Sequence, residues 1–143
     1  MDVSDLRKRI LRALDDARKD ASARRTVVDE AARAFETFLN DIAVPLMRQA
    51  GSVLRAEGQL FSVQTPAGSV RLAADRTPET FIEIALDPAT TPPQAVGRVS
   101  LARGRQGTVV DERPIAPGKT IAALTEDDVS QYLVSEVVRL VVR

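Results

Sequence analysis

The sequence predicts an α+β domain in which a long N-terminal helix, kinked or broken, an antiparallel meander of four or five strands and a C-terminal helix follow one another. Three observations predict this order. Apolar residues recur every three or four positions up to residue 57, the period of a helix with one apolar side. From residue 59 they alternate with polar residues between Gly/Pro turns, and after residue 125 the helical period returns. We expect both helices to cover one face of the sheet.

Residues 1–25 are predicted to form a helical arm outside a single α+β domain of residues 26–143. The apolar stripe of the arm is narrow, starts with a near-heptad rhythm and thins to alanine. Such a stripe suits pairing with another helix better than burial in a globular core. The pattern leaves open whether the helix continues through residues 21–25. The predicted partner-binding residues are Leu6, Ile10, Ala13, Leu14 and Ala17.

The next stretch, from Thr26 to residue 57, carries a broader apolar stripe. Thr26 is predicted to be its N-cap, and Gly58 is a typical C-terminal stop. Pro45 cannot donate a backbone hydrogen bond and its ring crowds the preceding turn, yet the stripe keeps its phase through residues 42–46. This predicts one kinked helix, and a second helix that begins at Pro45 is the alternative.

The strands are predicted where apolar and polar residues alternate, with one face packed and the other wet. Arg71 and Glu83 are expected to pair across a hairpin of this sheet. Thr125 is predicted to cap the last helix, whose first turn carries Glu126, Asp127 and Asp128. Negative charge there is favourable because the helix dipole is positive at its N-terminus.

The composition excludes several kinds of chemistry. The chain has no cysteine and no histidine, which removes disulfides, thiolate or imidazole metal sites and His-based catalytic triads. Twenty basic and twenty acidic residues give a formal net charge of zero, so no global field attracts nucleic acid or an anionic membrane. No run approaches the roughly 18 apolar residues that span a bilayer. We therefore expect no enzyme activity, no cofactor, no metal, no membrane association and a cytoplasmic location.

Four arginines form a candidate patch for a phosphate or an acidic protein. Arg98, Arg103 and Arg105 gather around one predicted hairpin, and Arg71 lies on a neighbouring strand. Binding of nucleic acid by this patch would lack aromatic residues on which bases stack, although it is not excluded.

These features favour a non-enzymatic interaction or assembly subunit that binds itself or another protein through the arm. The polar face of the sheet is a further candidate surface. Two alternatives remain at this point: a nucleic-acid-binding accessory protein that uses the hairpin of Arg98, Arg103 and Arg105, and a secretion-chaperone-like protein whose helices and sheet hold a client.

Overall fold

The computed structural model describes residues 2–142, with the backbone alone at position 106. Helix α1 (Val3–Phe38) leads through a π-helical turn (Leu39–Ala43) into α2 (Val44–Ala56), and α3 spans Glu126–Val141. The strands between them are β1 (Phe61–Gln64), β2 (Ser69–Ala74), β3 (Phe81–Asp87), β4 (Gln94–Ala102) and β5 (Thr108–Pro114). The predicted order of bent helix, meander and helix is confirmed.

The chain divides into two compact units, Met1–Glu30 and Ala31–Arg143. Helix α1 continues without interruption through residues 21–25, which answers the question that the sequence left open. Among residues 2–142, no helix combines the length and the apolar composition of a bilayer-spanning segment.

The prediction that Thr26 caps a helix is wrong, because Thr26 lies inside α1. Its hydroxyl donates a hydrogen bond to the backbone carbonyl of Ser22, four residues earlier, at 3.1 Å. A threonine can satisfy its hydroxyl in this way within a continuous helix, so its presence alone does not mark a helix start.

The π-helical turn joins the two helices next to Pro45. At its end the N–H of Val44 donates to the carbonyl of Leu39, five residues earlier. Such a turn holds one residue more than an α-helical turn, so the residues after it are rotated by about 100° relative to an uninterrupted α-helix. Pro45 is the second residue of α2, which places the change of hydrogen bonding immediately before the residue that lacks an N–H.

This rotation overturns the prediction that the apolar stripe keeps its phase through residues 42–46. The sequence pattern placed Ile42, Leu46, Val53 and Leu54 on the apolar stripe. The core instead buries Ala43 rather than Ile42 and Met47 rather than Leu46, and of the last two it buries only Leu54. Ile42 and Leu46 lie at the margin of the core, and Val53 is 64% exposed. One inserted residue accounts for all three differences.

Helix α2 ends at the predicted stop. Gly58 has a φ of 80°, in the left-handed region that glycine adopts without strain. Its N–H donates to the carbonyl of Arg55 at 3.1 Å, and the N–H of Gln59 donates to Leu54 at 2.8 Å. This pair of bonds is a Schellman motif, which satisfies carbonyls that the helix end leaves without partners.

The five strands form one antiparallel sheet in the order β1-β2-β3-β4-β5. Helices α2 and α3 pack on the same face, as predicted, and the core lies between them and the sheet. The strands contribute Val70, Leu72, Ile82 and Ile84, and the helices contribute Met47, Val129 and Tyr132; all seven are almost completely buried.

Tyr132 seats α3 against β4. Its ring occupies the space that a side chain on Gly97 would need, and a Cβ built there would overlap the Tyr132 hydroxyl and ring. The Arg113 guanidinium lies over the ring, 4.5 Å from its centroid. Among the described residues the buried hydroxyl has no hydrogen-bond partner, and burial raises the pKa of the Tyr132 phenol, which therefore stays neutral.

The predicted cap of α3 is confirmed as a capping box. The Thr125 hydroxyl accepts from the N–H of Asp128 at 3.2 Å, and the Asp128 carboxylate accepts from the N–H of Thr125 at 2.9 Å. Lys119 Nζ donates to both carboxylate oxygens, at 3.0 and 2.9 Å. The hydrogen bond from Lys119, followed by the bond from the Thr125 backbone, lowers the pKa of Asp128 below its usual 3.8.

We predict that Gly97→Ala lowers the free energy of unfolding by about 2–3 kcal/mol, because the new methyl group displaces Tyr132. Gly51→Ala is the matched control. Its Cβ would meet Leu72 Cδ1 at 3.4 Å, an ordinary contact, and alanine in helix α2 adds up to about 1 kcal/mol of stability. Urea denaturation followed by circular dichroism measures both. Equal losses in the two variants would contradict the role of the Tyr132–Gly97 contact.

We also predict a pH dependence that Asp128 carries. Because its pKa is lower in the folded chain, its contribution is fully present above the unfolded-state pKa, near 3.8, and is lost as the pH falls through the lower folded value. Asp128→Asn should therefore flatten the decline of the melting temperature below about pH 4. Asp127→Asn, a change of the same kind one residue earlier, should leave that decline steep. The same flattening in both variants would assign the effect to helix-start charge in general.

Candidate functional site

The arm presents its predicted partner-binding residues to solvent. Leu6, Ile10 and Leu14 are 48%, 50% and 45% exposed, and the alanines at positions 13 and 17 are exposed as well. On a helix of 3.6 residues per turn these five side chains lie on one side, over a length of about 17 Å. The small alanines in the later turns allow a second helix to approach closely.

The opposite side of the arm is charged. Lys8, Arg12, Asp15 and Lys19 follow one another there at helical spacing, and Lys19 pairs with Asp15 at 3.1 Å, four residues apart. An exposed pair of this kind contributes roughly 0.3–0.5 kcal/mol to the helix. Sequence reasoning did not include Leu11, which is 54% exposed and lies between the charged side and the apolar stripe.

A charged rung crosses the sheet on the face away from α2 and α3. Strand register places its five members directly opposite one another, one on each strand: Gln64, Arg71, Glu83, Arg98 and Glu112. The hydrophobic core includes neighbours of the rung on the three central strands, among them Leu72, Ile82 and Val99, and none of the rung itself.

Hydrogen bonds run along the rung from strand to strand. Arg71 donates from Nε and Nη2 to Glu83 Oε2 at 2.9 and 2.7 Å, so the predicted cross-strand pair is confirmed. Arg98 donates from Nη1 to Glu83 Oε1 at 3.4 Å and from Nε to Glu112 at 2.7 Å. The bond to Glu112 is the main reason that the pKa of Arg98 lies above its usual value. Glu83 is only 6% exposed, and both of its carboxylate oxygens accept hydrogen bonds from the flanking arginines.

The structure places the four arginines of the candidate anion patch at two locations. Arg71 and Arg98 alternate with glutamates in the charged rung, and the Arg71 guanidinium also stacks over Phe81 at 3.9 Å from the ring centroid. Arg103 and Arg105 are exposed at the β4–β5 hairpin tip, around a short 3₁₀ turn. The formal charges of the rung sum to zero. The net positive charge of the candidate patch therefore comes from Arg103 and Arg105 at the hairpin tip. Anion binding there stays a prediction.

Sequence reasoning missed an ion cluster on the helix-facing side of β5. Glu136 of α3 is 3% exposed and accepts from Arg113 at 3.0 Å and from Arg139 at 2.9 Å. Arg139 also donates to Asp111 at 2.7 Å. These pairs attach α3 to the edge strand. Only the spacing of Glu136 and Arg139, three apart on a helix, signalled part of the cluster in advance.

A shallow apolar groove of about 280 Å³ lies between α2 and α3 on the side away from the sheet. Two of the valines that line it, Val53 and Val134, are 64% and 67% exposed. The π-helical turn creates this surface in part, since it turns Val53 outward. The other apolar residues that line the groove are Leu46, Ala50, Leu54, Leu133 and Val137.

Within residues 2–142, no three acidic side chains come together in an arrangement that could hold a metal ion. Comparison with models of known protein families, with curated proteins and with solved structures yields no match.

We predict that Glu83→Gln lowers the free energy of unfolding by about 1–3 kcal/mol, because it removes the buried carboxylate that both arginines share. Glu112→Gln is the matched control: its carboxylate is 44% exposed, and its loss should cost about 0.5 kcal/mol or less. Urea denaturation compares them. If the two variants lose the same stability, the rung contributes only as an ordinary surface pair does.

Proposed function

We propose that this protein is a non-enzymatic interaction or assembly subunit whose arm binds another helix, from a second copy or from a partner protein. The observation that carries the proposal is the exposure of the stripe of Leu6, Ile10 and Leu14 on a continuous helix. An isolated helix draws little stability from its own hydrogen bonds, and most helices in proteins depend on burial of an apolar face. Docking on another helix would bury that face.

The energetics favour a helix partner of modest affinity. Complete burial of a leucine or isoleucine side chain is worth about 1.5–3 kcal/mol, and these three are already half buried by their own helix. The gain available to the stripe is therefore about 3 kcal/mol or somewhat more, before the cost of association is subtracted. A partner that contributes a matching apolar stripe doubles that gain.

The arm's charge separates the two kinds of partner. Residues 1–25 carry eight basic and five acidic side chains, a formal excess of three positive charges. Two such arms repel each other, so added salt would strengthen self-association. An acidic partner helix is attracted instead, and added salt would weaken that complex.

We predict that Leu6→Gln with Ile10→Gln lowers the molar mass in solution, or abolishes capture of the arm's partner, without loss of helix content. Glutamine has a helix propensity close to that of leucine, so a fall in association reflects the loss of the apolar stripe and not a loss of helix. The matched control is Lys8→Gln with Arg12→Gln on the opposite side of the same helix. Light scattering gives the mass and circular dichroism the helix content.

The proposal fails if the full chain is monomeric at every salt concentration and captures no protein through the arm. It also fails if the control lowers association as much as the stripe variant, because general charge would then explain the result.

A further inference from the structure

The sheet face away from the helices carries two adjacent rungs that differ in character. The first is the charged rung, in which Arg71, Glu83, Arg98 and Glu112 alternate in sign from β2 to β5. The second, two residues along each strand, alternates in size: Ala73, Phe81, Ser100 and Val110. We call this pair of rungs the open face.

The charged rung is complementary to itself under one symmetry operation. A two-fold axis parallel to the strands, midway between β3 and β4, exchanges β2 with β5 and β3 with β4 in a facing copy. Arg71 then faces the copy's Glu112, and Glu83 faces its Arg98. A two-fold axis perpendicular to the strands and passing through this rung would instead set like charges against each other, so the alternation favours the axis parallel to the strands.

The size-alternating rung fits the same operation. Phe81, half-buried under the Arg71 guanidinium, faces the copy's Ser100, and Val110, 58% exposed, faces the copy's Ala73. Ser100 and Ala73 are each 3% exposed, at the bottom of the rung between the larger side chains. Each larger side chain therefore meets a small one, as interdigitating sheet packing requires. Charge and size are separate properties of different residues, and both select the same two-fold axis.

We propose that the open face docks against the open face of a second copy, with the strands of the two sheets aligned. This inference goes beyond the proposed function, since the arm takes no part in it. Arg71, Arg98 and Glu112 keep 31%, 40% and 44% of their side-chain surface exposed, so they have atoms free to pair with the copy.

The dimer is a weak one. Facing sheets pack about 10 Å apart, and four strands span about 15 Å across the rungs. A contact face of that width buries a small surface area, and interfaces of small area form transient complexes. Self-association should therefore depend on concentration over a range of about 1–100 µM.

The test uses the Leu6→Gln, Ile10→Gln chain, so that arm-mediated association does not contribute. We expect sedimentation equilibrium to show a monomer–dimer equilibrium in this chain, weakened about tenfold or more by Val110→Arg. Val134→Arg is the matched control, the same substitution at a similarly exposed valine in the α2–α3 groove. It should leave the equilibrium unchanged.

A second variant inverts the charged rung with Arg71→Glu, Glu83→Arg, Arg98→Glu and Glu112→Arg in the same background. Inversion preserves self-complementarity but sets like charges opposite when the variant meets an uninverted chain. The folded variant should dimerise with itself and fail to exchange subunits with the uninverted one. If the inverted variant does not fold, the comparison of Val110→Arg with Val134→Arg decides whether the open-face dimer forms.

A monomer at 100 µM in the Leu6→Gln, Ile10→Gln background overturns the open-face dimer and leaves the arm proposal standing. If Val134→Arg weakens dimerisation as much as Val110→Arg does, the open-face dimer is wrong and the α2–α3 groove is the interface. Free exchange between inverted and uninverted chains overturns the charge argument on which the orientation rests.

Discussion

One extra residue in the helical turn at Leu39–Ala43 decides which side of α2 meets the sheet. Without it, an α-helix that buries Phe35 and Phe38 would next bury Ile42, Leu46 and Val53. With it, Ala43, Met47 and Leu54 enter the core, and Val53 becomes part of an outward apolar groove. The position of the turn, just before Pro45, follows from the missing N–H and the bulk of the proline ring. The interior and the outer surface of the helical layer both depend on this turn.

Helices α2 and α3 cover one face of the sheet, and the other face carries the charged rung and the size-alternating rung. On the covered face, Gly97 supplies the space in which Tyr132 packs, and the Glu136 ion cluster holds α3 to the edge strand. On the open face, Glu83 is buried, and two arginines supply the hydrogen-bond partners that make its burial tolerable. A wet sheet face can therefore contain a buried charge.

The arm and the open face are the two surfaces that we propose for association, and they belong to different compact units. The arm offers half-exposed leucine and isoleucine side chains, whose burial is non-directional and accepts any helix with a suitable stripe. The open face offers an ordered alternation of charge and size, which restricts both the partner and its orientation. We propose that the first surface provides attachment and that the second adds a specific geometry.

The sequence alone determined the element order, the antiparallel meander of four or five strands, the Gly58 stop, the Thr125 cap and the Arg71–Glu83 pair, because each depends on spacing or on residues close to one another in a hairpin or helix turn. The tertiary structure alone decided the rest. Helix α1 continues through Thr26 instead of starting there, and the phase of α2 shifts because a π-helical turn precedes Pro45. The rung from Gln64 to Glu112, the Glu136 cluster and the fit of Tyr132 on Gly97 join residues far apart in the chain. No periodicity in the sequence carries that information, since it arises only when strands pair in register and a helix packs on them.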